Sequence, residues 1–239
     1  MTSTIKKTIE NFDYGFVFTP ADFPIDPRKQ ATVNRILNNM VAAGQIRRAS
    51  KGRFYKTKMT EFGELPLSAT ELVKDLLEKN GKTIGYLTGY TAFNELGLTT
   101  QVPFALQIGV TNEKKAIKRK FYRISFIKQH NEITKKNIPL LQLLDCLRFF
   151  KNIPDAMPDE SCQRLLYLLS KLDDKEKNKI KKFALKYTPQ ATVLLGAMLE
   201  MLNPQEDISE LYDKLNPQTF YKLGISKNIL SNQKKWNIR

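Results

Sequence analysis

Side chains able to donate hydrogen bonds to phosphates and base edges gather in two short stretches near the start of this chain. The first is Arg28, Lys29, Thr32, Arg35 and Asn38, and the second is Arg47, Arg48, Lys51, Arg53 and Lys56. Members of the first stretch recur every three or four positions, so on a helix they share one face. Arg carries paired donors and Asn a donor beside an acceptor, the combinations that read base edges, whereas Lys and Arg on a strand or turn supply contacts to phosphate. A third basic run, Lys114, Lys115, Lys118, Arg119 and Lys120, has Phe121 and Tyr122 beside it. It has the charge of an accessory phosphate-binding edge and equally that of a solvated hairpin.

Residues for catalysis are sparse by comparison. His130 is the single histidine, so a His/Cys metal site has no ligand set, and Cys146 and Cys162 show no metal or redox spacing. Both cysteines fall in helical patterns and fit buried thiols of a reducing compartment. Neither a phosphate-cradling glycine loop nor a nucleophile elbow occurs, and the acidic residues lie mostly at helix starts and flanks, where they have structural roles. The expectation is a protein that binds and does not catalyse, with no cofactor and no metal. A nuclease site built from a carboxylate and a lysine far apart in the chain stays open.

Charge separates the chain into regions. The 239 residues carry 39 Lys and Arg against 24 Asp and Glu, a net of +15. Such an excess is mildly costly through self-repulsion, and a polyanionic partner accounts for it. Residues 1–60 hold +7, residues 61–110 hold −3, residues 111–150 hold +7, and the remainder holds +4. No apolar run reaches the roughly 18 residues of a membrane span, and the N-terminus lacks the apolar core of a signal peptide, so nucleic acid is favoured over a membrane and a cytoplasmic location is expected.

Elements that position the donors are marked by their end signals. Thr19-Pro20 and Asp26-Pro27 are helix starts, and the second launches a helix over residues 27–43 whose Val33, Ile36, Leu37, Met40 and Val41 face inward. Gly44 ends it. Strand residues 45–48, a turn over 49–52 and strand residues 53–56 follow, with Ile46, Phe54 and Tyr55 anchoring a basic β-hairpin. A helix followed by a basic hairpin is the order of a winged helix-turn-helix, in which the helix reads the major groove of double-stranded DNA and the hairpin grips phosphate.

These residues carry a resemblance. The helix TVNRILNNMVAAGQIRR followed by ASKGRFYK resembles the N-terminal winged-helix domain of the AbiEi-type antitoxins of type IV toxin–antitoxin and abortive-infection systems, and TGYTAFNELGLTTQVP, residues Thr88 to Pro103, is similar to the segment that opens their second domain. The resemblance implies a transcriptional repressor that binds inverted repeats in its own promoter and opposes a nucleotidyltransferase-like toxin. The alternative is a stand-alone winged-helix module that holds a protein partner or regulates without any toxin.

Further along, Ser68 and Glu71 start a helix that Gly81 ends, strands fall at residues 104–110 and 121–127, and a helix covers 138–150. Helical patterns then occupy 160–172, 174–187, 189–202 and 208–215. Glu61 to Pro66 reads as a linker. The expected fold class is α+β: a winged helix over 1–60, a mixed α/β domain over 66–150, and a helical C-terminal region over 151–239 packed on the second domain.

Overall fold

The computed structural model describes residues 1–65 and 67–239. The fold is mixed α/β and divides into two compact units, Met1–Leu76 with Ile117–Arg123, and Leu77–Ala116 with Ile124–Arg239.

In the first unit, α1 (Thr2–Glu10) precedes a short strand β1 (Val17–Phe18), 3-10 turns at Pro20–Asp22 and Pro27–Lys29, helix α2 (Gln30–Ala42), and the hairpin β2 (Arg47–Ser50) and β3 (Arg53–Tyr55). The strands pair antiparallel in the order β1-β3-β2, with Phe18 and Arg48 both opposite Phe54. Between β1 and α2 the chain forms only the two 3-10 turns. Its punctuation follows from side-chain chemistry. The Thr19 backbone N–H and hydroxyl both donate to Asp22, at 2.6 and 2.9 Å, and the Arg28 N–H donates to Asp26 at 2.9 Å. Gly44 and Gly52 have φ of +71° and +70°, values that a residue with a Cβ rarely takes.

Val33, Leu37 and Met40 of α2 are buried, while Ile36 and Val41 are partly so. They pack with Ile5, Ile9, Ile46 and an aromatic group in which the Phe12, Phe18, Phe23 and Phe54 rings lie 5.0–6.4 Å apart. Truncating Leu37, which has no exposed surface, to alanine would cost about 2–5 kcal/mol.

The stretch expected to be a linker folds on itself instead. β4 (Met59–Thr60) and β5 (Gly63–Glu64) form a hairpin with Glu61-Phe62 at its turn, and the Leu65 N–H donates to the Lys58 carbonyl at 2.9 Å; Pro66 lies outside the described residues. The first unit therefore runs past residue 60 into α3 (Ala69–Leu77). Side chains of α3 hold it there: Glu71 accepts the Val17 N–H at 3.0 Å, and Asp75 pairs with Arg53 and Arg119. The Ser68 hydroxyl accepts the Glu71 N–H at 3.2 Å, as expected of its start signal. The helix stops short of Gly81, because Asn80 and Gly81, with φ of +51° and +73°, form a two-residue turn between β6 (Glu78–Lys79) and β7 (Lys82–Thr83).

The second unit contains β8 (Gly85–Thr88), α4 (Tyr90–Glu95) and β9 (Ala105–Val110), with β8 and β9 paired antiparallel, and most of β11 (Tyr122–Lys128), whereas β10 (Ile117–Arg119) falls in the first unit. Helices α5 (Ile138–Arg148), α6 (Pro158–Ser170), α7 (Asp174–Ala184), α8 (Pro189–Leu202) and α9 (Ser209–Tyr212) follow. The helices of residues 151–239 pack with α5: α8 is buried at every position from Ala191 to Leu199, which makes it the axis of one core shared with α5, α6 and Trp236. A Cβ on Gly196 would lie 2.1 Å from the Trp236 ring, so this helix and the C-terminal segment close on each other only because residue 196 is glycine. Cys146 and Cys162 are buried and unpaired. No helix among the described residues is long and apolar enough to cross a membrane.

Candidate nucleic-acid interface

Burying Val33, Leu37 and Met40 forces the opposite face of α2 outward. Along it Gln30, Arg35, Asn38 and Asn39 are exposed, Thr32 is half-buried, and Arg28 and Lys29 stand exposed on the 3-10 turn just ahead. The Arg28 guanidinium, 90% exposed, lies 2.8 Å from Asp26. That carboxylate is held below its usual pKa by the Arg28 hydrogen bonds. Lys29 and Arg35 have no hydrogen-bonded or ion-paired side chain among the described residues.

The hairpin adds to this face at one point. Arg48, on β2, donates from Nη2 to the Asn38 Oδ1 at 2.6 Å and sits 5.8 Å from the centre of the Phe54 ring. Arg35, Asn38 and Arg48 thus form a strip in which one residue of the hairpin is tied to the helix. Lys51 is exposed beside Gly52 at the hairpin turn.

Other expected contacts are occupied within the protein. Arg47 pairs with Glu64 and donates to the Gly44 carbonyl at 2.8 Å. The Lys56 ammonium donates to the Glu10 carbonyl at 2.9 Å and lies 4.6 Å from the Tyr14 ring. Arg53 is 3.3 Å from Asp75. These three cations were expected to be open to phosphate; each instead joins two segments of the first unit.

The third basic run divides in the same way. Arg119, 13% exposed, grips Asp75 through two nitrogens at 2.5 and 2.8 Å and also donates to the Leu72 carbonyl. Lys120 donates to the Tyr55 hydroxyl at 2.7 Å, its ammonium 4.5 Å from that ring. Arg119, expected as an accessory phosphate contact, is thus largely buried and engaged with Asp75 and Leu72. Lys115 and Lys118 are exposed, and Lys114 is exposed with its ammonium 5.6 Å from the Phe126 ring. Burial pushes the Asp75 carboxyl up, but hydrogen bonds from Arg119 and the charges of Arg119 and Arg53 outweigh it and hold the group below its usual pKa.

Sequence reasoning did not single out Asp75, which sits in the acidic stretch between the basic ones. Its partners are 22 and 44 residues away, and no local spacing signals them. No group of three His, Cys, Asp or Glu among the described residues is arranged to hold a metal ion.

A mixed α/β chain with a basic helix face next to a hairpin is the class these features define. The chain belongs to the family of unknown function DUF6088, whose model matches residues 4–191. Among solved structures it is similar to the RV2827C protein from Mycobacterium tuberculosis, with 11% identity and a TM-score of 0.56 over 92% of this chain and 83% of that one. No curated protein matches.

Proposed function

We propose that this chain is a cytoplasmic DNA-binding repressor that docks α2 in the major groove of inverted repeats in its own promoter, rests its hairpin turn on phosphate, and serves as the antitoxin to a nucleotidyltransferase-like toxin. It acts by binding, without catalysis or cofactor. The observation that carries the DNA reading is the strip of Arg35, Asn38 and Arg48 on the outer face of α2, flanked by Arg28 and Lys29 at one end and Lys51 on the hairpin. A helix with donors facing solvent fits the 12 Å width of the major groove, where Arg reads guanine and Asn reads adenine. The antitoxin half rests on the resemblance of residues 88–103 to AbiEi-type antitoxins.

Four cations, Lys29, Arg35, Arg48 and Lys51, have no ion pair among the described residues, and Arg28, 90% exposed, is paired only with its neighbour Asp26. Counterion release then gives a slope of log affinity against log salt of about −4 to −5 per protomer. Fluorescence anisotropy of a labelled promoter duplex across 50–200 mM salt measures it. A slope near zero would exclude a duplex interface on this face.

Internal pairing of Arg47, Arg53 and Lys56 favours the second reading, a winged-helix module that binds a protein and has no toxin. Capture of a protein partner by a chain with no measurable duplex affinity distinguishes it.

A further inference from the structure

The second unit contains a buried polar network that the DNA reading does not use. Asp145 on α5 is 1% exposed, and its carboxyl accepts from the Tyr86 and Thr88 hydroxyls at 2.6 and 2.7 Å and from the Tyr187 hydroxyl at 3.1 Å. The Gln129 amide donates to both phenol oxygens, at 2.9 and 2.6 Å. With its members satisfied, such a network is rigid, and here it fixes Gln129 and Tyr187 as the floor of a hollow of about 350 Å³.

Three cations from three different elements line that hollow: Lys128 at the end of β11, Arg148 at the end of α5, and Lys186 after α7. Arg148 makes one long hydrogen bond, 3.5 Å to the Lys128 carbonyl, and its guanidinium lies 5.1 Å from the Phe149 ring. Lys186 is exposed and has no polar partner among the described residues. The one carboxylate on the rim, Glu113, is 76% exposed and 3.4 Å from Lys128. Thr188, also in the lining, immediately precedes α8 without capping it, and its buried hydroxyl has no hydrogen-bond partner among the described residues. Three cationic residues and one exposed carboxylate leave the hollow with a net positive charge that favours an anion.

We propose that this hollow binds the phosphate group of a phosphorylated small molecule. Phosphate carries up to two negative charges and accepts hydrogen bonds tetrahedrally, which suits donors converging from three sides, and the start of α8 adds the positive end of a helix dipole. The concave shape suits a terminal phosphate better than the convex backbone of a duplex. The proposal is independent of the first unit's DNA-binding reading.

Isothermal titration calorimetry of the full chain with pyrophosphate, at constant ionic strength and with sulfate in parallel, tests it. The expected result is saturable one-site binding that weakens at least tenfold in Lys186→Gln and in Arg148→Gln, and is unchanged in Lys227→Gln, an exposed lysine outside the hollow. Lys186 is on the surface, so its variant keeps the test valid even if Arg148→Gln folds poorly. Anisotropy with promoter duplex is expected to be unchanged in the Lys186 variant. No saturable heat, equal binding by wild type and Lys186→Gln, or a loss of duplex affinity in Lys186→Gln without loss of pyrophosphate binding would each overturn the proposal.

Discussion

Arg35 and Arg119 both sit in basic stretches of sequence, yet their surroundings give them opposite tasks. Arg35 stands on a helix whose other face is buried, with solvent around its guanidinium; Arg119 is 13% exposed and spends its donors on Asp75 and a backbone carbonyl. The α2 face and the Asp75 cluster belong to the same compact unit. Positive charge in the one is available to a ligand, and in the other it ties residues 53, 75 and 119 of the fold together. Net charge therefore overstates an interface: of the ten donors expected in the first two stretches, Arg47, Arg53 and Lys56 are held internally.

The largest effect that sharpens this contrast is on stability. Asp75→Ala leaves Arg53 and Arg119 without their shared carboxylate, and urea unfolding is expected to show a loss of about 3 kcal/mol, since removing one member of a largely buried pair strands the charge of the other. The corresponding change on α2, Arg35→Ala, is expected to leave the urea midpoint within about 0.5 kcal/mol and to weaken promoter binding by about 1–3 kcal/mol. A destabilised Arg35→Ala, or an Asp75→Ala as stable as wild type, would break the comparison.

Acid provides a smaller and independent probe. Asp75 has a depressed pKa in the folded state, so its pairing contributes in full above the unfolded carboxylate range near pH 4 and fades as pH falls through the lower folded value. Between about pH 4 and pH 2 the wild type is expected to lose stability more steeply than Asp75→Asn. Parallel acid limbs in the two proteins would show that the pair does not matter. The smallest effect belongs to the hairpin turn: Lys51→Ala is expected to reduce the salt slope of duplex binding by about 1 and to weaken promoter and scrambled duplex alike.

Much of the first unit is legible in sequence because its signals are local. Thr19-Pro20, Asp26-Pro27, Gly44 and Gly52 each act within a few residues, and the 3.6-residue period of Val33, Leu37 and Met40 fixes which face of α2 is outward. Val193, Leu194, Leu195, Ala197, Met198 and Leu199 likewise mark a core helix. Asn80-Gly81 is an equally local signal for a hairpin, but a Gly at the end of a helical pattern is also a helix stop, and only backbone geometry separates the two. The role of Glu61 to Gly63 is hidden for a similar reason, since a two-residue turn and a linker share the same composition.

Long-range pairing is the part that sequence does not carry. Nothing near Arg53 or Arg119 indicates that both reach Asp75, and nothing near Lys128, Arg148 or Lys186 indicates that three elements deliver them to one hollow. Charge counts mark where cations are; the folded chain decides which of them are already paired.

The most direct measurement is competition anisotropy at fixed salt, with the promoter repeats and a scrambled duplex offered to wild type and to the Arg35→Ala/Arg48→Ala double variant. The wild type is expected to prefer the promoter by about a thousandfold or more, and the double variant to lose that preference while keeping weak, salt-sensitive binding to both duplexes. Equal affinity of the wild type for the two duplexes, or an undiminished preference in the double variant, would contradict the assignment of α2 as the DNA-reading helix.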